Sequence, residues 1–398
     1  MEAPLARASV KPFERPMDTD VLVIGGGIAG CATAYYLARD GVEVALIERE
    51  DISSQASGAN AGSIHLQMSY PVFATRSPEW VAGYASVLPL LKSSIRTWIE
   101  IAGSLDSDIE LVTDGGLMIA ETAAQLEVMK RKVEVENRHQ VGSRIIGRDE
   151  LFRLAPYISD TVVGAEFCPL EGKSNPLVAT FAIRRLAEQA GARVMGFTEL
   201  VALDAANGQW HARTRRGMIR AARVVIAAGG WCGTVAALAG VRLPAVGAPI
   251  HMNVTEPVEP IVGHLIYAAG RALTFKQGKT GHMIVGGGWP AALHPLTGRP
   301  VSIRSTIEEN LWTALQLVPG LAHLRLLRTW AGMVNQTPDG RPFLGPVPGK
   351  PGLFINTFPG RGYTAGPYCG KLLAEMMGGR SPSSDPRVGA VDRVFVDR

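Results

Sequence analysis

Gly25, Gly27 and Gly30 form a Gly-x-Gly-x-x-Gly run, and Glu48 stands further down the chain. This spacing suits the binding of a dinucleotide. Gly25 permits a tight turn, Gly27 lets backbone approach a pyrophosphate, and Gly30 lets a helix pack closely on a strand. Ile28 and Ala29 open that helix, whose free N–H groups and positive dipole end face phosphate. Glu48 can accept hydrogen bonds from ribose hydroxyls, with Arg49 beside it, and an acid there disfavours a 2′-phosphate. The elements that must position these residues are legible on both sides. Asp20 to Ile24 reads as a buried strand, Cys31 to Asp40 as a helix stopped by Gly41, and Val42 to Ile47 as a second strand. The run is a complete dinucleotide-binding unit, although it does not separate NAD from FAD.

Three further segments have the same character. Ser53 to Gly62 is small and polar, so Ser57, Ala59, Asn60, Ala61 and Gly62 can let a flat ring lie against backbone. Val224 to Ala228 reads as a strand running into Gly229-Gly230-Trp231, which is either a second close approach to the cofactor or a plain turn. Leu353 to Thr357 reads as a strand, followed by Pro359, Gly360, Arg361, Gly362, Tyr363 and Thr364. A helix over Ala365 to Met377 comes next, with Pro367 near its start, where a missing N–H does no harm.

Between these segments, Asp108 to Ala120 reads as two strands around a turn, and Ala123 to Arg138 as a helix with Leu126, Met129 and Val133 on one face. Leu273 to Lys276 and His282 to Gly288 read as paired strands. Gly286-Gly287-Gly288 fails as a second nucleotide motif, because Ala291 replaces the third glycine and Pro290 breaks the helix. The four cysteines form no CxxC pair, which argues against a zinc ribbon, a disulfide scaffold or an iron–sulfur cluster and fits reduced thiols; no metal site is expected. The net charge of +4 is not gathered into a stripe, so nucleic acid is not an expected partner. The first 19 residues have no apolar core and read as a loosely ordered arm, not a signal peptide. No run approaches the 18 apolar residues that suggest a spanning helix. The expected location is cytoplasmic, with membrane association only through a partner.

Taken together, these motifs resemble the D-amino-acid oxidase-like flavoprotein superfamily, which includes glycine oxidase, sarcosine oxidase and D-amino-acid dehydrogenase. Within it the chain looks most like the flavin subunits of opine oxidases and hydrogen cyanide synthase. Besides the segments above, Gly172 with Asn175-Pro176, Val254 to Pro257, Thr329 to Gly332 and Pro338 to Gly340 carry the likeness, which covers Asp20 to Arg380. The resemblance implies FAD and an α/β fold: a Rossmann-like FAD-binding domain with an inserted α+β substrate domain on a mainly antiparallel sheet. The expected division is an arm over 1–19, an FAD domain over 20–85, 146–235 and 325–398, and a cap over 86–145 and 236–324. It also implies removal of hydride from the carbon beside an amine nitrogen to flavin N5, giving an imine that water hydrolyses to a 2-oxo acid or aldehyde. The D-amino acids, glycine or sarcosine, and opines are the substrate classes in view.

The departures are informative. Gly332 stands about where relatives with covalent flavin carry Cys, so the FAD is expected to be non-covalent. Val334, with neutral Asn335 and Gln336, stands where glycine oxidase-like members place a carboxylate-binding Arg. Three residues are the catalytic candidates. Lys276 matches a sarcosine oxidase pattern in which a Lys faces the flavin. His65 follows the flavin-side loop and would line the substrate side. Arg361 could hold a substrate carboxylate by a bidentate pair, with Arg271 and Arg328 as rivals. The electron acceptor is oxygen, a quinone or a partner subunit. The alternatives are a flavin subunit that chiefly passes electrons within a larger complex, and a non-catalytic FAD-binding relative.

Overall fold

A computed structural model describes residues 11–394. Two eight-stranded sheets organise them. In the first sheet the strands run Phe343–Pro346, Leu353–Thr357, Gly217–Ile226, Met17–Ile24 (β1), Val44–Ile47 and Arg193–Met195, with Gln209–Thr214 and Leu200–Ala206 attached at Gly217–Ile226. The four central pairings are parallel. Residues Val21 to Ile24 and Val44 to Ile47 are buried throughout, as a parallel sheet covered on both faces requires. The register aligns Ile24 with Ile47 and Ile226, and Ile226 with Ile355. The carboxyl ends of four strands therefore meet at one edge. Gly25, Glu48, Ala227 and Asn356 follow them there, where open α/β sheets bind ligands.

Helix α1 (Ile28–Arg39) packs on this sheet and against the Gly362–Met377 helix. Its end is set by Gly41 at φ +81°, with Gly41 N–H donating to Ala38 O and Val42 N–H to Leu37 O. That is the paired bond pattern of a glycine-terminated helix.

The second sheet runs Leu326–Gln336, Val246–Pro257, His282–Gly286, Thr274–Gln277, Leu265–Ala268, Gly116–Ala120, Gly164–Cys168, Arg144–Gly147. Every pairing is antiparallel except that of Leu265–Ala268 with Gly116–Ala120. This is the mainly antiparallel cap sheet that the resemblance implies.

Several boundaries differ from the sequence reading. β1 begins at Met17, because Met17 to Thr19 pair with Ile219 to Ala221, so the arm is shorter than 1–19; residues 1–10 lie outside the described part. Gly164–Cys168 and Leu326–Gln336 belong to the second sheet, although 146–235 and 325–398 read as FAD domain. Conversely, the Leu88–Ala102 helix shares the first core with α1, although 86–145 read as cap. Local pattern shows a strand but not which sheet it joins. Within 108–120 only Gly116–Ala120 forms a strand, and the stretch before it makes a single bridge from Val112 to Lys173. The Gly362–Met377 helix starts three residues early, which puts Pro367 inside it.

The helix over Ala123–Arg138 has the expected bounds, fixed by a capping box between Thr122 and Gln125. Its buried face carries a surprise. Lys132 and Glu136 are wholly buried there with Glu166, and Lys132 Nζ lies 2.7 Å from Glu136 and 2.6 Å from Glu166. Burial works against charge in all three. Lys132 nevertheless holds Glu136 below the usual carboxylate range, while burial and the neighbouring Glu136 push Glu166 well above it. One ammonium thus faces two acids whose tendencies to ionise are pushed apart.

Candidate FAD and substrate site

A cavity of about 870 Å³ opens at the carboxyl edge of the first sheet and extends beneath the second. That is near the upper end of ligand-pocket volumes, room for a large ligand. Its wall gathers segments distant in sequence: Gly25 to Ala29, Glu48 and Arg49, the Ser53–Ala61 stretch, Ala227 to Trp231, Gly332 to Thr337 and Asn356 to Tyr363.

The dinucleotide end fits a phosphate-bearing group. A Cβ at Gly25 would stand 2.4 Å from Ala227 O, and φ there is +120°. A Cβ at Gly27 would stand 2.9 Å from Ser57 Oγ, which accepts the Ile28 N–H. The first turn of α1 carries no acid, and Ile28 N–H is met by the neutral Ser57 Oγ, so the turn itself offsets none of the dipole that faces the cavity. Glu48 accepts Gly26 N–H at 2.8 Å and Glu50 N–H at 3.0 Å. These bonds aim the carboxylate and leave lone pairs for ribose hydroxyls. The Arg49 guanidinium lies 4.1 Å from the Trp231 ring centre, and both line the cavity. These residues would hold the adenosine diphosphate half of FAD, and the Ala59–Ala61 and Gly360–Tyr363 turns its ring end.

Four predicted site residues stand behind the wall instead. Gly30 permits contact between α1 and the turn, since its Cβ would be 1.9 Å from Gly25 O. Gly62 packs under Ser174 O. Thr364 is a fastener: its Oγ1 accepts His65 N–H, and its carbonyl accepts Ser94 Oγ and Trp98 Nε1. Lys276 is buried and absent from the wall, donating to Ser174 O at 3.2 Å behind the Asn60–Gly62 turn. Burial, then neighbouring Lys173, brings it down to about 7. Asn60 lines the cavity, but its side chain is spent locally on Ala56 O, Ser57 O and Gly62 N–H.

At the other end stand His65 and Arg361. His65 Nδ1 is 2.6 Å from Tyr267 Oη. Burial, reinforced by Arg361 and Lys276, pushes the imidazole down to about 3, so it is neutral at ordinary pH. Arg361 is half-buried and donates to Leu66 O and Gln67 O, with its guanidinium over the Tyr84 ring. No acid lies within ion-pair distance of it among the described residues. Its rivals are otherwise engaged. Arg271 lines the cavity but pairs with Glu121, and Arg328 is exposed on its strand away from the wall.

Sequence reasoning missed Tyr84, Trp80 and Tyr267, which also line the cavity. Trp80 and Tyr84 stack at 5.4 Å on the Pro78–Ala85 helix. A Ser-Pro start followed by aromatics four apart could have shown that face. Tyr267 carries no local signal.

Comparison with known proteins agrees with this geometry. The sarcosine oxidase subunit beta of Arthrobacter sp is 27% identical over 365 residues, spanning 89% of this chain and 86% of its own. The glycine oxidase of Pseudomonas aeruginosa is 27% identical over 389 residues, spanning 93% and 98%. The crystal structure of L-proline dehydrogenase from P. horikoshii superposes with a TM-score of 0.85 at 24% identity, covering 96% of this chain and 99% of that one. A family model described as DAO, FAD dependent oxidoreductase, matches residues 20–376, and the chain belongs to that family of FAD-dependent enzymes.

Proposed function

We propose that this enzyme oxidises the C–N bond of an amino acid or N-substituted amino acid (D-amino acid, glycine or sarcosine, or opine-like), giving an imine that hydrolyses to a 2-oxo acid or aldehyde. The observation that carries this reading is Arg361, a half-buried guanidinium on the cavity wall that is anchored by carbonyls but unpaired with any acid among the described residues. Such a group suits a substrate carboxylate, which Arg can take with two parallel bonds. FAD, when bound, supplies the acceptor for the hydride.

The protein's own residues do the rest. Tyr84, Trp80 and Tyr267 exclude water around the substrate, and desolvation lowers the pKa of the substrate ammonium toward the reactive neutral amine. His65 is too weak a base to keep that proton. Neutral and held by Tyr267, it serves to orient the amine. Lys276 acts from behind the Asn60–Gly62 turn as a charge that comes and goes near neutral pH. Gly332 offers no nucleophile, in keeping with non-covalent FAD. Similarity to a protein named as an oxidase subunit supports a partner chain, and the electron acceptor is oxygen, a quinone or that partner. No helix among the described residues is long and apolar enough to cross a membrane.

The test is anaerobic addition of amino acids and opines to the holoenzyme, followed by visible spectroscopy. Bleaching by one substrate class supports the reading. Arg361→Met should then raise KM for that substrate at least about 30-fold, the loss of a charge-assisted bond of about 2 kcal/mol, with a smaller change in kcat. A flavoprotein that no amine bleaches would refute it.

A further inference from the structure

Among the described residues Arg361 has no acid beside it, yet a buried acid stands one peptide away. Glu171 is fully buried. Its Oε1 accepts the N–H groups of Leu66 and Gln67 at 2.5 and 2.7 Å, and its Oε2 accepts the Gln67 side-chain amide at 2.7 Å. Arg361 donates to the carbonyls of the same two residues, Leu66 and Gln67. The peptide joining Leu66 to Gln67 therefore has a carboxylate on its N–H and a guanidinium on its C=O. Burial pushes Glu171 above the usual carboxylate range, and three converging donors together with the charge of Arg361 work against that, a set that favours the ionised carboxylate at pH 8. The neighbouring Met68 N–H goes to Glu136 in the same manner, so three successive N–H groups of this segment point at buried acids.

We propose that Glu171 is the counter-ion of Arg361, acting through the Leu66–Gln67 peptide, and that this arrangement sets the affinity of the cavity for carboxylates. A direct salt bridge would occupy the guanidinium donors. A counter-ion one peptide removed balances the charge and leaves donors open to a ligand. Glu171 does not touch the cavity; it is a positioning residue. The two anions, Glu171 and the incoming carboxylate, share one cation, so removing the first makes the second worth more.

The inference rests on Arg361 being the carboxylate site, and the experiment separates the two ideas. Acetate, which cannot be oxidised, is titrated into holoenzyme at pH 8 and read by the perturbed flavin absorbance. The same variants are melted without acetate. Glu171→Gln should tighten acetate binding about five- to tenfold, the scale of one charge acting through partly screened protein. It should also lower Tm, and its effect on acetate should vanish in an Arg361→Met background. A purely structural Glu171 predicts the opposite sign, so weaker or unchanged acetate binding in Glu171→Gln overturns the proposal. Glu171→Asp, which keeps the charge but disturbs the bonds, should hold acetate affinity within about twofold of wild type.

If Arg361→Met itself leaves acetate binding unchanged, the carboxylate reading fails, and the melting data then decide this one. Non-additive losses of Tm for the two substitutions support the counter-ion, and additive losses overturn it. Should Glu171→Gln alone fail to retain FAD, the double variant must retain it, because both charges leave together. A double variant that also fails overturns the proposal.

Discussion

Replacing Gly30 by alanine tests how the nucleotide turn is held. The added Cβ would sit 1.9 Å from Gly25 O and 3.0 Å from Gly25 C. Both are backbone atoms, so no side chain can swing away, and α1 must lift from the turn by about 1 Å or more to restore ordinary contact. Overpacking of this kind costs about 3 kcal/mol at the upper end of its range. The helix preference of alanine over glycine returns about 1 kcal/mol. The net loss of about 2 kcal/mol falls on the segment that faces the pyrophosphate, and corresponds to roughly 30-fold weaker FAD binding. The assay is titration of apoprotein with FAD, followed by quenching of flavin fluorescence. Gly83→Ala is the control. Gly83 lies inside the Pro78–Ala85 helix, and a Cβ there meets nothing within 4 Å. The same chemical change should there stabilise the fold by about 0.5–1 kcal/mol. Wild-type FAD affinity in Gly30→Ala would refute the argument that close helix–turn contact builds the phosphate site.

Lys132→Met should destabilise the protein by about 3–5 kcal/mol in urea unfolding, since it strands two buried acids, one of them kept ionised by Lys132; a loss below 1 kcal/mol would show that the cluster relaxes or hydrates. His65 is held at about 3, below its ordinary 6.5, so its contribution is whole above pH 6.5 and is lost as pH falls toward 3. The loss of Tm over that window should be shallower in His65→Gln, and equal slopes would contradict the buried neutral imidazole. Lys276 is held at about 7, below its ordinary 10.5, so its contribution is whole above pH 10.5 and lost as pH falls through 7. Stability should therefore gain from this residue between pH 7 and 10, and Lys276→Met should abolish that gain while melting higher at pH 7. Retention of the gain in the variant would assign it to another group.

The nucleotide half of the site was legible because its residues are contiguous and each does its work through local backbone geometry. Gly25 needs its positive φ, Gly30 its missing Cβ, and Glu48 its place at the end of the next strand, whatever the rest of the chain does. The paired strands around Lys276 and the Ala123–Arg138 helix were readable for the same reason. What the sequence could not show was which distant groups meet. Lys132 and Glu136 sit four apart, as an exposed helical ion pair would, and only the approach of Glu166 from a strand of the second sheet makes them a sealed cluster. Lys276 reads as a flavin-facing amine, and only the fold shows that it is buried beside the Asn60–Gly62 turn and donates to Ser174 O. Arg361 could be seen as a loop cation. That its charge is anchored by the Leu66 and Gln67 carbonyls, and balanced by Glu171 beyond them, depends on contacts between segments about 100 to 300 residues apart. Electrostatic pairing falls off with distance in space, not along the chain, so residue spacing determined the dinucleotide turn while packing of the two sheets decided the charge that faces the cavity.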